Sequence, residues 1–258
     1  MQKSTTLCSL VCALLIAPAA QAWNCEYEKQ LDQVLDLSGS EEVFVTALAG
    51  DLEIRSGSGS EALIRGKVCV SEEKWLEEAV VRTERGKRAE ITVELPETSG
   101  WSMTGNRYAY IDLELVLPGD IAVTVADSSG DAQISGLASL SIKDSSGDLD
   151  ISDISGPVVL KDSSGSIELE DIRGDVTVDG DSSGDIDGEL ITGSVVVEQD
   201  SSGSIHFSDV SGDVLVKRDS SGDITAENVG GDFTVLRDGS GSIRAINVEG
   251  KVDIPDKS

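Results

Sequence analysis

Apolar residues in the C-terminal half of the chain come in short alternating bursts. Ile205 and Phe207 sit two apart, Val210 follows, and after Gly212-Asp213 come Val214 and Val216. The same columns hold Ile167, Leu169, Ile172, Val176 and Val178 one stretch earlier, and Ile224, Ala226, Val229, Phe233 and Val235 one stretch later. A period of two puts every second side chain on one face of a strand. The bursts are separated by Gly, Asp and Ser, residues that close turns. Each stretch therefore predicts two short strands, one apolar face and two tight corners.

The corners recur at a nearly fixed interval. Asp-Ser-Ser-Gly begins at Asp127, Asp144, Asp162, Asp181, Asp200 and Asp219, and Asp-Gly-Ser-Gly at Asp238, with steps of 17, 18, 19, 19, 19 and 19 residues. Such a period marks a stacked repeat. The fold class is all-β: a flattened parallel β-solenoid of about 19 residues per coil, with Val over Val and Ile over Ile. Right-handed winding is the default for parallel crossovers, although the sequence does not fix the hand. One coil cannot bury enough surface to order its own backbone, so stability must come from its neighbours. Gly188 replaces an inward residue, and Pro157 falls at a corner, where its missing N–H is tolerated.

The chain before the repeat is less regular. The expected organisation is a leader over 1–22, an N-terminal β-rich cap over 23–118 containing a degenerate first coil, and the repeat over 119–258. Residues 26–37 include a short strand, and Val43–Ala47 alternates. Gly50-Asp51-Leu52-Glu53-Ile54 repeats half of a later coil. Ser56-Gly57-Ser58-Gly59 reads as a loop; it lacks the Lys-Ser/Thr and helix of a phosphate cradle. Ala62–Val70 is a strand, Ser71–Glu78 one or two helical turns capped by Ser71, and Val80–Glu84 with Ala89–Leu95 a hairpin around Arg85-Gly86-Lys87. A loop over 96–107 leads to a longer strand over 108–117. Such strands suit the cap that a solenoid end requires. At the far end Pro255, Asp256 and Lys257 blunt the last edge strand.

The leader has Lys3, an apolar run from Leu7 to Ala17 and Ala20-Gln21-Ala22, which reads as a signal peptide cut after Ala22. The run is too short for a permanent span, and no other stretch is apolar enough, so the chain is not membrane-spanning. Trp23-Asn24 before Cys25 lacks the small residue of a lipid-anchor site. Cys8 and Cys12 leave with the leader. Export to an oxidising setting makes a Cys25–Cys69 disulfide the expected state, clamping the new N-terminus to the first strands; two free thiols are the alternative. The location is exported: periplasm, or the extracellular space and cell surface. A net charge of -28 repels nucleic acid and anionic lipid. It also keeps a strand-rich protein soluble.

Ser129-Gly130-Asp131, Ser146-Gly147-Asp148-Leu149, Ser183-Gly184-Asp185-Ile186 and Ser221-Gly222-Asp223-Ile224, with Gly174-Asp175-Val176 and Gly212-Asp213-Val214 between them, resemble a known family. It is the "putative adhesin" family of exported bacterial β-solenoid proteins, a domain of unknown function. The resemblance covers roughly residues 40–254. It implies fold and an adhesin-like role, and brings no catalytic residues.

The row Asp127, Asp144, Asp162, Asp181, Asp200, Asp219 and Asp238 is the main candidate chemistry. A second, partial row has Asp131, Asp148, Asp185 and Asp223 alternating with Ser166, Ser204 and Ser242. Stacking sets like charges about 4.8 Å apart, a repulsion of about 1 kcal/mol per pair even in water. Either each Asp accepts a hydrogen bond from the backbone two residues on, with a serine ladder beside it, or the row binds Ca2+. The Gly-Gly-x-Gly-x-Asp nonapeptide of solenoid calcium sites is absent. No other cofactor is implied. His206 alternates with inward Ile205 and Phe207, so it points outward. A polysaccharide-active β-helix enzyme would need long loops around a cleft, and these corners are short. The reading is therefore non-catalytic: an exported scaffold or adhesin-like module. Its repetitive faces would meet an envelope or surface protein, a glycan or a second copy through many weak contacts.

Overall fold

The structure is a computed structural model describing residues 25–98 and 107–255. The expected leader, Asp256 and Lys257 lie outside these residues. The chain forms β1 (Tyr27–Asp36), β2 (Glu42–Thr46), β3 (Leu52–Gly57), β4 (Glu61–Val70), a 3-10 turn (Glu73–Leu76), β5 (Val80–Glu84), β6 (Arg88–Glu94) and β7 (Ala109–Pro118). Paired short strands follow: β8 (Ala122–Ala126), β9 (Ala132–Ser135), β10 (Ser139–Lys143), β11 (Leu149–Ile154), β12 (Val158–Lys161), β13 (Ile167–Ile172), β14 (Val176–Gly180) and β15 (Ile186–Ile191). The series closes with β16 (Val195–Val197), β17 (Ile205–Val210), β18 (Val214–Val216), β19 (Ile224–Val229), β20 (Phe233–Val235), β21 (Ile243–Val248) and β22 (Val252–Asp253).

Two eleven-stranded sheets result. The first runs β1-β4-β7-β3-β9 and on through the odd strands to β21. The second runs β5-β6-β2-β8 and on through the even strands to β22. From β8 onward every pairing is parallel, and in register but for one shift where Lys161 of β12 meets Gly180 of β14, with Val176 over Val195 over Val214 and Ile186 over Ile205 over Ile224. This is the parallel solenoid, about 19 residues per coil. The inward columns form one continuous core, with Ile205, Phe207, Val210, Val214 and Val216 all buried. The gap at Gly188 is filled from the next coil: a Cβ there would fall 2.5 Å from the Phe207 ring. Phe207 itself stacks between Gly188 and Ala226.

The N-terminal region is more closely woven than the sequence suggests. Strand β3 pairs with β9 on one side and β7 on the other, and β2 lies between β6 and β8. The early coil of Gly50–Ile54 is thus a full member of the stack. The chain leaves it, builds β4 to β7 behind it, and returns. Strand β4 is antiparallel to both its neighbours, β1 and β7, and β5 is antiparallel to β6. Trp75, 4% exposed, plugs the open core at this end. Lys29 Nζ donates to Leu76 O, and Gln33 Nε2 donates to Val81 O, tying β1 to the segment leading into β5 and to β5 itself. Cys25 and Cys69 are joined by a disulfide with Cα atoms 5.6 Å apart, fixing the residues that lead into β1 to β4.

Local expectations differ in three places. The strand within 26–37 is ten residues long, because it pairs along its whole length with β4. Residues 56 and 57 extend β3 instead of opening a loop, through pairing with Leu117 and Pro118. The helical turn is 3-10, and Ser71 does not cap it. Glu72 precedes the turn with no side-chain cap, while Ser71 Oγ accepts from Tyr108 N–H at 3.1 Å.

Candidate functional site

The aspartate row lies inside the corner, not on it, except at its last member, Asp238, which is only half-buried. Asp127, Asp144, Asp162, Asp181, Asp200 and Asp219 are all at most 5% exposed. Backbone bonds hold the row in line: Asp144 N–H donates to Lys161 O, Asp181 N–H to Gln199 O and Asp200 N–H to Arg218 O, each at 2.9 Å. Each next turn folds under its own Asp. One carboxylate oxygen accepts from the following serine N–H at 2.7 Å in Asp127, Asp181 and Asp200. The bond from two residues on is also made, at 3.3 Å to Asp181 and 3.1 Å to Asp219. The Asx-turn therefore holds in part, with the adjacent residue as the main donor. The serine ladder runs between coils: Ser146 Oγ donates to Ser128 O, Ser164 Oγ to Ser145 O and Ser202 Oγ to Ser182 O, at 3.0–3.2 Å.

The second oxygen of each buried Asp finds no donor in protein groups, and in Asp144 and Asp162 neither oxygen does. A buried ionised carboxylate in that position is costly. Burial is the largest influence on each of these six carboxyls and raises its pKa. At Asp127 and Asp200 the serine N–H bonds pull back, and neighbouring aspartates raise the pKa further. Asp127 and Asp162 are pushed up to about 6 and Asp200 to about 7. Asp144, Asp181 and Asp219 are also raised. Asp162 also acts on Asp144, and Asp219 on Asp200, so neighbouring carboxyls in the file influence each other's protonation. Carboxyls raised in this way hold protons at a pH where free ones are charged, which lessens the repulsion that stacking imposes.

Calcium fits this arrangement poorly. The row supplies one carboxylate per coil in single file, whereas Ca2+ takes about six to eight oxygens. Among the described residues no group of three or more His, Cys, Asp or Glu side chains is placed to hold a metal ion.

The partial second row behaves differently. Its members are exposed, and each carboxylate accepts the backbone N–H of the next coil. Asp131 takes Asp148 N–H, Asp148 takes Ser166, Asp185 takes Ser204 and Asp223 takes Ser242, at 2.7–3.1 Å. Asp112 and Asp51 start the same row inside the cap. Another such row, on the opposite corner, runs Asp175, Ser194, Asp213, Asp232 and Lys251.

One further row was not recognised in the sequence. Asp153, Asp171, Leu190, Asp209, Asn228 and Asn247 all have φ between 52° and 57°. Asn228 Nδ2 donates to Asp209 and Asn247 Nδ2 to Asn228. The signal was present: Asp and Asn are the side-chain-bearing residues that best tolerate the left-handed region.

His206 lies on the outer side of β17, flanked in register by Asp187 and Thr225. Two of the surface grooves among the described residues bear on these rows. One crosses the first sheet near the cap, past Asp51, Arg65, Lys67, Asp112 and Glu114. The other follows the corner of Leu190, Asp209, Asn228 and Asn247. Neither includes His206. Among the described residues no helix is long and apolar enough to cross a membrane.

The two broad faces are unlike. The first sheet presents Asp150, Glu168 and Asp187 in one outward row, with Glu170 and Glu189 beside it. The second presents Thr124, Ser141, Val159, Thr177, Val196, Leu215 and Thr234 in register, a row without charge.

No family model and no curated protein matches the chain. Solved structures do. A "putative cell adhesion protein" from Clostridium sporogenes is 17% identical, with 90% of this chain and 100% of that one covered and a TM-score of 0.30. A "putative adhesin" from Bacteroides fragilis is 11% identical, covering 88% and 97%, with a TM-score of 0.42. A "Putative lipid binding protein" from Parabacteroides distasonis is 15% identical, covering 88% and 97%, with a TM-score of 0.37.

Proposed function

We propose that the protein is an exported, non-catalytic scaffold that makes adhesin-like contacts through a flat solenoid face. The observation that carries this is the uncharged row of the second sheet. Stacking converts one position per coil into a continuous line of seven side chains, Thr124 to Thr234, on a chain that is otherwise strongly acidic. A line of repeated weak contacts binds an extended partner by summation. The disulfide supports an oxidising compartment, and hence export. The partner is an envelope or surface protein or a glycan, met by this row.

The test is binding of the purified protein to envelope fractions of the cells that make it. Val159→Glu and Leu215→Glu together, three rungs apart in the row and so not stacked on each other, should weaken binding at least about tenfold, since buried like charges and desolvation oppose contact, and leave the melting temperature nearly unchanged. Glu168→Gln with Asp187→Asn on the opposite face should leave binding intact. Loss of binding only in the second set, or turnover of a polysaccharide by the wild type, would overturn the proposal.

A further inference from the structure

The two ends of the solenoid are finished differently. At the N-terminal end Trp75 fills the core and side-chain bonds tie β1 to β5 and the turn before it. At the other end the core columns stay open. Ile243 stands over Ile224, Ala245 over Ala226, Val248 over Val229 and Val252 over Phe233. The four lower residues are at most 1% exposed. The upper ones are less covered: Ile243 and Val248 are half-buried, while Ala245, Val252 at 42% and neighbouring Ile254 at 44% are exposed. Among the described residues β21 and β22 each have one partner, so both sheets end there on an unpaired edge. The expected blunting by Pro255 does not reach these strands, because Pro255 falls two residues past the end of β22; an edge with an open apolar core beside it is a template for another strand pair.

Charge selects the partner. The whole chain carries 20 Lys and Arg against 48 Asp and Glu. Across residues 236–255, however, Arg237, Arg244 and Lys251 balance Asp238, Glu249 and Asp253. This end is where two copies of so acidic a chain can approach without strong mutual repulsion. We propose that it is the docking surface for the same end of a second copy. A two-fold axis normal to the sheets sets β21 beside β21 and β22 beside β22, antiparallel, and makes both sheets and the core continuous across the junction. The plugged N-terminal ends then face outward, so association closes at two copies instead of growing into fibres. The junction is only one coil in cross-section, a small interface. A dissociation constant of roughly 1–100 µM is expected.

The experiment is sedimentation velocity of the wild type over a concentration series spanning that range. The expected result is a reversible monomer–dimer equilibrium, the dimer being about twice as long as the monomer. Ala245→Asp and Val252→Asp, at positions exposed in the monomer, should weaken it more than tenfold. Val159→Asp on the broad face should not alter it. As a measurement independent of substitution, amide exchange across Ile243–Val248 should slow as concentration rises. A wild type that stays monomeric, assembly that continues past two copies, or dissociation by Val159→Asp in place of the end variants would overturn the proposal.

Discussion

Leu190 occupies a left-handed position, φ 57°, in a row otherwise filled by Asp and Asn, and its side chain is 46% exposed. It gains little from burial and carries the steric cost of that conformation, about 1–2 kcal/mol. Leu190→Asn should therefore stabilise the protein by about 1 kcal/mol, or roughly 2–4 °C in Tm, and extend the amide row toward Asp209. A lower Tm would contradict this. Gly203 presents the opposite case. Its φ is 128°, and an added Cβ would lie 1.6 Å from the carbonyl oxygen of Gly184 in the coil below. Gly203→Ala must push coils apart and should cost about 3 kcal/mol or more in chemical denaturation. Gly59, also at positive φ but with open space around it, is the control, and its Ala variant should cost about 1 kcal/mol. Equal costs would mean that strain, not stacking distance, sets the requirement for glycine.

At the level of the corner, the buried aspartates give a pH signature. Their folded pKa values, about 6 for Asp127 and Asp162 and about 7 for Asp200, stand above the unfolded value of about 3.9. Between those limits the folded chain holds protons that the unfolded chain has released. The stabilisation is complete below about pH 4 and is lost as pH rises through 6 and 7. Asp36, Glu72 and Glu114 are shifted downward by hydrogen bonds and cations and act the other way, but only below about pH 4.5. Tm should therefore be higher at pH 5 than at pH 8. Asp200→Asn keeps the acceptor for Ser201 N–H and removes a buried charge beside Asp219. It should flatten the profile and raise Tm at pH 8 by roughly 3–6 °C, about 1–2 kcal/mol. A Tm that climbs from pH 5 to pH 8 would contradict the raised pKa values of the row. The row itself was legible in the sequence, but its burial was not, because Asp-Ser-Ser-Gly reads as a solvated turn. The clue was parity: Val123, Val125 and Asp127 alternate inward, as do Leu140, Ile142 and Asp144. Later coils hide it, because an extra residue enters where Lys161 aligns with Gly180.

At the level of the molecule, the coils and the inward columns followed directly from the period and the alternation. The weave of the cap did not. Gly50–Ile54 carries the coil motif, yet nothing in it says that the partner strand lies some 80 residues on, at Ala132–Ser135. Long-range pairing is decided by edge geometry, not by local pattern. The Cys25–Cys69 bridge, 44 residues apart in sequence, closes across this weave. Reduction should cost about 2–4 kcal/mol and speed amide exchange first along Tyr27–Asp36. Unchanged exchange there would show that the cap does not depend on the bridge. In-register parallel stacking can be measured as electron–electron distances between nitroxides on the outer row of the second sheet. Labels at Thr124, Thr177 and Thr234 span three rungs per step. At about 4.8 Å per rung, the expected distances are about 14 Å for Thr124–Thr177 and for Thr177–Thr234, and about 29 Å for Thr124–Thr234. Distances that fail to add along one line would contradict in-register stacking.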